Sequence, residues 1–531
     1  MTAFTVDDLH LFLDRAGARE YLKLSVPMRH GRYHEVRSPD YLVQFNLNAE
    51  VKYLQGHHRD WPHPAEWLKR TPGDDWIYYS VGSYNDVFDL TGEYYFPCLS
   101  YDKSPFFTHD PFTIPAVKQA LNDLDPLLEM LGTLSRRPLP EPVKSFFCRA
   151  ARMDASKRKH RAGQLHRILG EKITILPPDT RHVDYAVIPA VIARGCLYHC
   201  GFCRFKTRHP FGPLNRDAVL EQMAQMKAFL GQDLPNYNAV FFGQHDALLA
   251  GKNLLTFAAE KAYEIFELER SHMKDAYLFF FGSVDAMLGA EESLFEVLNR
   301  LPYRTFINLG LESMDAHTLA HLKKPVAAPR IREAFLRMLD VNRRYPHIEV
   351  TANFVLGKDL PADHLPSILD GVQNALDRFN SKGTLYFSPL QRRESKAEVL
   401  APFNALKGAL RLPAYVYLFG PIQNRHPAPD RRLSSAQIPG GASCLHRPRQ
   451  KRRGVGRRRW LQFHPGVRSG LFGSRRPSEV RNPGVDSNRR PLPGRLPDAR
   501  GMDRLCGPPG GTPAGPSKRS AHLSHQRFRG I

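Results

Sequence analysis

From residue 183 to residue 390 the chain alternates between two hydrophobic patterns. Apolar runs of strand length fall at 185–193, 239–243, 277–282, 305–309, 349–356 and 384–387. Between them apolar residues recur at helical spacing, as in Val219, Leu220, Met223, Met226 and Leu230, and again over 254–268, 294–301, 331–341 and 365–376. Such alternation predicts parallel strands joined by right-handed helical crossovers. Six units make either an open doubly wound sheet or a partial (β/α)6 barrel of the TIM type, and ligands gather at the carboxyl ends of the strands in both. The expected class is α/β, with a partial barrel over 181–392.

Residues 1–180 read as a separate α+β region. Alternation over 41–47 and 50–54, split by Asn48-Ala49, predicts a hairpin, and 76–81 with 93–96 predicts a second. A helix is expected after Pro115, with Val117, Leu121, Leu124, Leu127, Leu128 and Leu131 on its apolar face. The cluster Arg149, Arg152, Lys157, Arg158, Lys159 and Arg161 reads as a solvated helix face or linker rather than a polyanion site. No residue here carries recognisable chemistry. Residues 393–423 read as a helical and strand remnant.

Composition changes this picture mainly at the carboxyl end. The 531 residues are 42% hydrophobic and 24% charged, which suits a globular chain of more than one domain. No run approaches the roughly 18 apolar residues of a membrane span. The start, Met1 to Asp8, lacks the layout of a signal peptide, and seven Cys make no disulfide framework, so a reducing cytoplasm is expected. The net charge of +22 would suggest nucleic acid, but +19 of it lies in residues 421–531. That segment holds 22 Arg, 2 Lys, 15 Gly and 15 Pro and no Tyr, so disorder is expected over 424–531. It reads as an Arg/Gly-rich RNA-binding arm, as a plain solvated tail, or, the reading we prefer, as the product of a shifted frame near Gln423 in a GC-rich gene.

The candidate chemistry sits at the end of the first strand of the series, in Arg194-Gly195-Cys196-Leu197-Tyr198-His199-Cys200-Gly201-Phe202-Cys203. Three thiols at C-x3-C-x2-C spacing on one loop suit a soft metal or an iron–sulfur cluster. Three ligands leave one iron of a four-iron cluster open to a small molecule. Structural zinc needs a fourth ligand, and Cys98 or Cys148 of the body could be recruited.

This loop, with Phe202 before the last Cys, closely resembles the cluster loop of radical SAM enzymes, and the resemblance covers about 183–390. It implies a [4Fe–4S] cluster on Cys196, Cys200 and Cys203, with S-adenosylmethionine chelated at the open iron. Electron transfer into the sulfonium would then yield a 5′-deoxyadenosyl radical that abstracts hydrogen from a substrate. An external one-electron donor of the flavodoxin or ferredoxin type is implied as partner. The family's glycine-rich turn after the second strand corresponds here to Gly243, Gln244, His245 and Asp246, which could equally cap a helix. Ser283 at the third strand end could face the cofactor or make a turn. Glu312 and Ser313 resemble the Gly-x-Glu-Ser stretch that approaches S-adenosylmethionine, and Gly357 an adenine-side turn.

The substrate is not readable from these residues. Cys98 and Cys148 are too few for an auxiliary cluster, and no Asp-x-His-x-x-Gly pattern suggests cobalamin. The competing expectation is a nucleic-acid-binding protein with zinc on the Cys loop and a basic tail on phosphates.

Overall fold

The computed structural model describes residues 2–21, 29–62, 64, 66–79, 111–203, 210–390 and 396–417. The segment 93–96, Cys98 and the basic tail lie outside the described residues.

The amino-terminal region is built on a seven-stranded antiparallel sheet, a larger element than the two hairpins expected. Its strands are β1 (Thr2–Val6), β2 (Leu9–Ala16), β3 (Arg32–Arg37), β4 (Tyr41–Phe45), β5 (Val51–Gly56), β6 (Trp67–Arg70) and β7 (Trp76–Tyr79), each paired with the next. In β2, Leu9, Leu11 and Leu13 turn inward while His10 and Asp14 face solvent. The β4–β5 turn is an Asn-based turn in which the Asn46 side chain accepts from the backbone N–H of Asn48 and Glu50, at 3.0 and 2.9 Å.

Helices Pro115–Leu134, Glu141–Ala151 and Ala155–Leu169 follow. Val117, Leu124 and Leu131 of the first, and Phe146 of the second, join Val36, Phe45 and Leu54 in one core. The basic cluster divides: Arg152, Lys157 and Lys159 are exposed, as expected of a solvated face, whereas the other three are not. Arg158 reaches Asp125 at 2.7 Å, Arg149 reaches the Leu47 carbonyl at 3.1 Å, and Arg161 pairs with Glu50 and the Phe229 carbonyl. These three cations tie elements together.

The second half is a parallel sheet. Its strands are β8 (Ile188–Ala190), β11 (Ala239–Asp246), β12 (Tyr277–Gly282), β13 (Arg304–Glu312), β14 (Ile348–Leu356), β15 (Leu385–Pro389) and β16 (Ala414–Val416), in that spatial order. The order never reverses, as it does in a doubly wound sheet. β16 is a seventh strand beyond the six expected, and the first run is shorter than expected. After β8 the chain breaks into β9 (Ala193–Arg194), paired with β10 (Gly212–Pro213).

Strand alternation splits the residues between two faces. Val240, Phe242, Leu278, Phe280, Ile307, Leu309, Val350 and Ala352 join the main core with the crossover helices. Phe241, Phe279 and Phe306 form a second cluster on the opposite face. The short helix Pro178–Val183 sits against that face. Its Asp179, 1% exposed, accepts from Thr351 (2.7 Å), Asn308 (3.4 Å) and Tyr386 (2.8 Å), and Arg181 donates to the Tyr386 hydroxyl at 2.9 Å. No helix among the described residues is long and apolar enough to cross a membrane.

Candidate functional site

The cysteine loop leaves β9 through Gly195, whose φ of +81° is open to glycine and strained for other residues. Its far end docks on the segment after the helix Ala316–His321, where Gly201 N–H donates to the Leu322 carbonyl at 2.9 Å. A Cβ at Gly201 would stand 3.1 Å from that same oxygen, tighter than ordinary contact, so the close approach favours glycine. Between these anchors Tyr198 makes a third. Its hydroxyl donates to the Asp285 carboxylate at 2.6 Å and accepts from the Asp285 N–H at 3.1 Å, while Arg330 holds the other Asp285 oxygen at 2.7 Å. The Tyr198 bond, ahead of the other causes, holds the Asp285 carboxyl below its ordinary range.

Cys200 is buried and Cys196 and Cys203 are half-buried. Burial pushes the Cys200 thiol up to about 11, and the charges of Glu312, Cys203 and Cys196 act in the same direction against Lys324. Burial likewise raises Cys196, with Asp246 adding to it and Lys324 opposing. The three thiols, Glu312 and Lys324 therefore lie within electrostatic reach of one another. Among the described residues no three His, Cys, Asp or Glu side chains converge closely enough to hold a metal ion as they stand. The donor set itself fits a soft metal: three thiols from one loop, desolvated as free thiols and stabilised as thiolates only on ligation.

The ends of β11 and β13 are irregular where they meet this loop. Pairing of β11 with β12 slips between Phe241 and Asp246, and pairing of β13 with β14 slips between Gly310 and Glu312. Glu312 sits at φ +67°, a left-handed conformation that costs a non-glycine residue ~1 kcal/mol or more. The bulge turns its carboxylate toward Lys324, whose Nζ lies 3.6 Å away and also donates to the Gly310 carbonyl at 2.9 Å. The same ammonium stands 5.2 Å from the centre of the Tyr198 ring. Burial raises the Glu312 carboxyl against the pull of Lys324. Burial also pushes Asp246 up to about 6, against the pull of Ser283.

The expected site residues thus divide. Cys196, Cys200, Cys203, Asp246 and Glu312 gather around the loop, with half-buried Phe202 inside it. Ser283 caps the helix Val284–Gly289 by accepting from Ala286 N–H at 3.1 Å. Gln244 is bound instead to the Thr174 N–H (2.8 Å) and the Lys172 carbonyl (3.0 Å), and His245 faces Glu171 at 3.3 Å. Ser313 lies in the interior and donates to His364 Nδ1 at 2.8 Å, a tautomer fixed by His364 Nε2–H donating to the Val355 carbonyl. A Cβ at Gly357 would meet Leu360 and Leu390 at ordinary contact distance. Lys324 and Tyr198 were missed; the signal available was a cation in Lys323-Lys324-Pro325 shortly after the Glu312 strand and an aromatic between two Cys.

No family model matches the chain, and no curated protein is similar to it. Among solved structures it is similar to a cobalamin-dependent S-adenosylmethionine radical enzyme, OxsB, with aqua-cobalamin and S-adenosylmethionine bound, at 17% identity and TM-score 0.26. That match covers 43% of this chain and 32% of the other, so the chain spans about a third of that relative's length. It is also similar to methylornithine synthase, PylB (11% identity, 51% and 87% of the two chains, TM-score 0.30), and to HydG, a maturase of the [FeFe]-hydrogenase (9%, 55% and 67%, TM-score 0.28).

Proposed function

We propose that the protein is a radical SAM enzyme acting on a substrate whose identity these residues do not specify. The observation that carries the reading is the C-x3-C-x2-C loop at the carboxyl end of the first strand of a sequentially ordered parallel sheet, with its three thiols in mutual electrostatic reach. Cys196, Cys200 and Cys203 would hold a [4Fe–4S] cluster. When bound, such a cluster supplies an electron to S-adenosylmethionine and so generates a 5′-deoxyadenosyl radical.

The chain's own part is to hold the loop and balance its charge. Gly201 fixes the loop to the segment after the helix Ala316–His321, and Tyr198 fixes it to the first turn of the helix Val284–Gly289. Lys324 brings a buried cation beside thiols that must ionise to bind iron, and Glu312 shares that cation. Asp246, to which Ser283 is hydrogen-bonded, and Glu312 would be the polar groups offered to S-adenosylmethionine, with Gly243 at φ +67° inside the β11 bulge. The sequential strand order suits a partial barrel. An external flavodoxin- or ferredoxin-type donor completes the proposal. Metal analysis of anaerobically purified and reconstituted protein tests it: iron and sulfide in near-equal amounts, four of each, support the reading, whereas zinc alone or no metal after reconstitution contradicts it.

A further inference from the structure

A cavity of about 230 Å³ lies away from the cysteine loop, none of whose residues lines it. Its walls come from β5, β6, the helices Ala155–Leu169 and Arg216–Leu230, and the segment 172–176. Most of that surface is apolar, including Val51, Ile77, Leu165, Ile173, Val187 and Phe229. Five cations also line it. Four have carboxylate partners: Lys69 with Asp184 (2.8 Å), Arg70 with Asp74 (2.6 Å), Lys172 with Asp75 (3.7 Å) and Arg161 with Glu50.

Lys52 is the exception. Among the described residues its ammonium has no hydrogen-bond acceptor and no carboxylate at ion-pair distance, only the Tyr53 ring at 5.6 Å. Burial pushes it below its ordinary value, with Asp233 pulling it back up through space. Asp233 also lines the cavity, and its Oδ1 is already committed, accepting from Leu47 N–H at 3.2 Å and Asn236 Nδ2 at 2.6 Å. An ammonium with three unused donors in an apolar cavity is costly unless an anion meets it.

We propose that this cavity binds a small molecule with an apolar body and a single carboxylate, seated on Lys52. Lys52 offers one cation with no ion-pair partner, and with the Asp233 carboxylate also on the wall a dianion would be more poorly compensated than a monoanion. The apolar walls take the body of the ligand. The cavity also adjoins the proposed cofactor end of the sheet through one segment: Lys172 and Thr174, which line it, are hydrogen-bonded to Gln244 in the β11 bulge. The proposal does not depend on the radical SAM reading, because binding here needs neither iron nor S-adenosylmethionine.

Calorimetric titration of the full-length, iron-free protein with octanoate, octan-1-ol and octylamine tests it. Octanoate should saturate a single site and bind roughly tenfold or more tightly than octan-1-ol, the margin of a charge-assisted hydrogen bond, with octylamine weakest. Lys52→Met should abolish the preference for octanoate over octan-1-ol while leaving octan-1-ol binding in place, and Lys52→Arg should retain it. Equal binding of acid and alcohol, octanoate binding unchanged in Lys52→Met, or no binding of octanoate to wild type would each overturn the proposal. Should Lys52→Met fail to fold, the acid-to-alcohol ratio in wild type and Lys52→Arg decides alone.

Discussion

The two ends of the parallel sheet are built on opposite principles. Toward the amino ends of its strands, Asp179 fills a buried polar position with three hydrogen-bond donors around it, from Thr351, Asn308 and Tyr386. The strands there pair in unbroken register. At the carboxyl ends β11 and β13 bulge, Glu312 adopts a left-handed backbone, and thiols and carboxyls are desolvated side by side. Polar groups in the first region serve packing. In the second they are held at a cost that the fold alone does not require, which is where a bound group would restore the balance.

The largest effect expected from this contrast is at Cys200. Replacing it by Ala should abolish iron uptake on anaerobic reconstitution, read as iron content and visible absorbance, with little loss of fold. Next comes Lys324→Met, which strands the Glu312 carboxyl in the interior. It should cost ~3 kcal/mol in urea unfolding of the iron-free protein, and the double variant with Glu312→Gln should recover about half.

A third variant probes the packed end. Burial pushes Asp179 up to about 6 from an ordinary 3.8. The folded state then holds the proton more tightly than the unfolded chain, so the stabilisation is complete below pH 3.8 and fades as pH rises through about 6. Asp179→Asn should remove up to ~1.4 kcal/mol per pH unit of that downward slope. Asp246, with the same direction of shift, should leave a residual slope. An unchanged slope would mean that Asp179 is not the buried acid described here.

The smallest effect is expected for Tyr198→Phe, which removes both hydrogen bonds to Asp285. The loss of ~1 kcal/mol should speed chelator-driven iron release roughly fivefold, while iron content after reconstitution stays near wild type. A rate equal to wild type would show that the other two anchors suffice.

The parallel strands were legible in the sequence because both their faces are covered, which leaves near-continuous apolar runs such as Val240 to Phe242 and Leu278 to Phe281. β3 was not. Its residues Arg32-Tyr33-His34-Glu35-Val36-Arg37 look solvated, yet Glu35 is fully buried and held by Arg29, Arg37 and the more distant Arg15. At the site, the Cys spacing was visible because all three ligands lie on one loop. Ser313 was read as part of the same motif as Glu312, but the bulge sends the two apart, and His364, 51 residues away, takes Ser313. Lys324 carries only the weak local signal of a basic pair after the Glu312 strand: its importance comes from the Gly310 carbonyl, Glu312 and the Tyr198 ring meeting it in space.

The most direct test of the central claim is to reduce the anaerobically reconstituted protein in the presence of S-adenosylmethionine and to quantify 5′-deoxyadenosine. The account predicts its formation by wild type and its loss in Cys200→Ala. An iron-loaded wild-type protein that yields no 5′-deoxyadenosine above the Cys200→Ala background would contradict it.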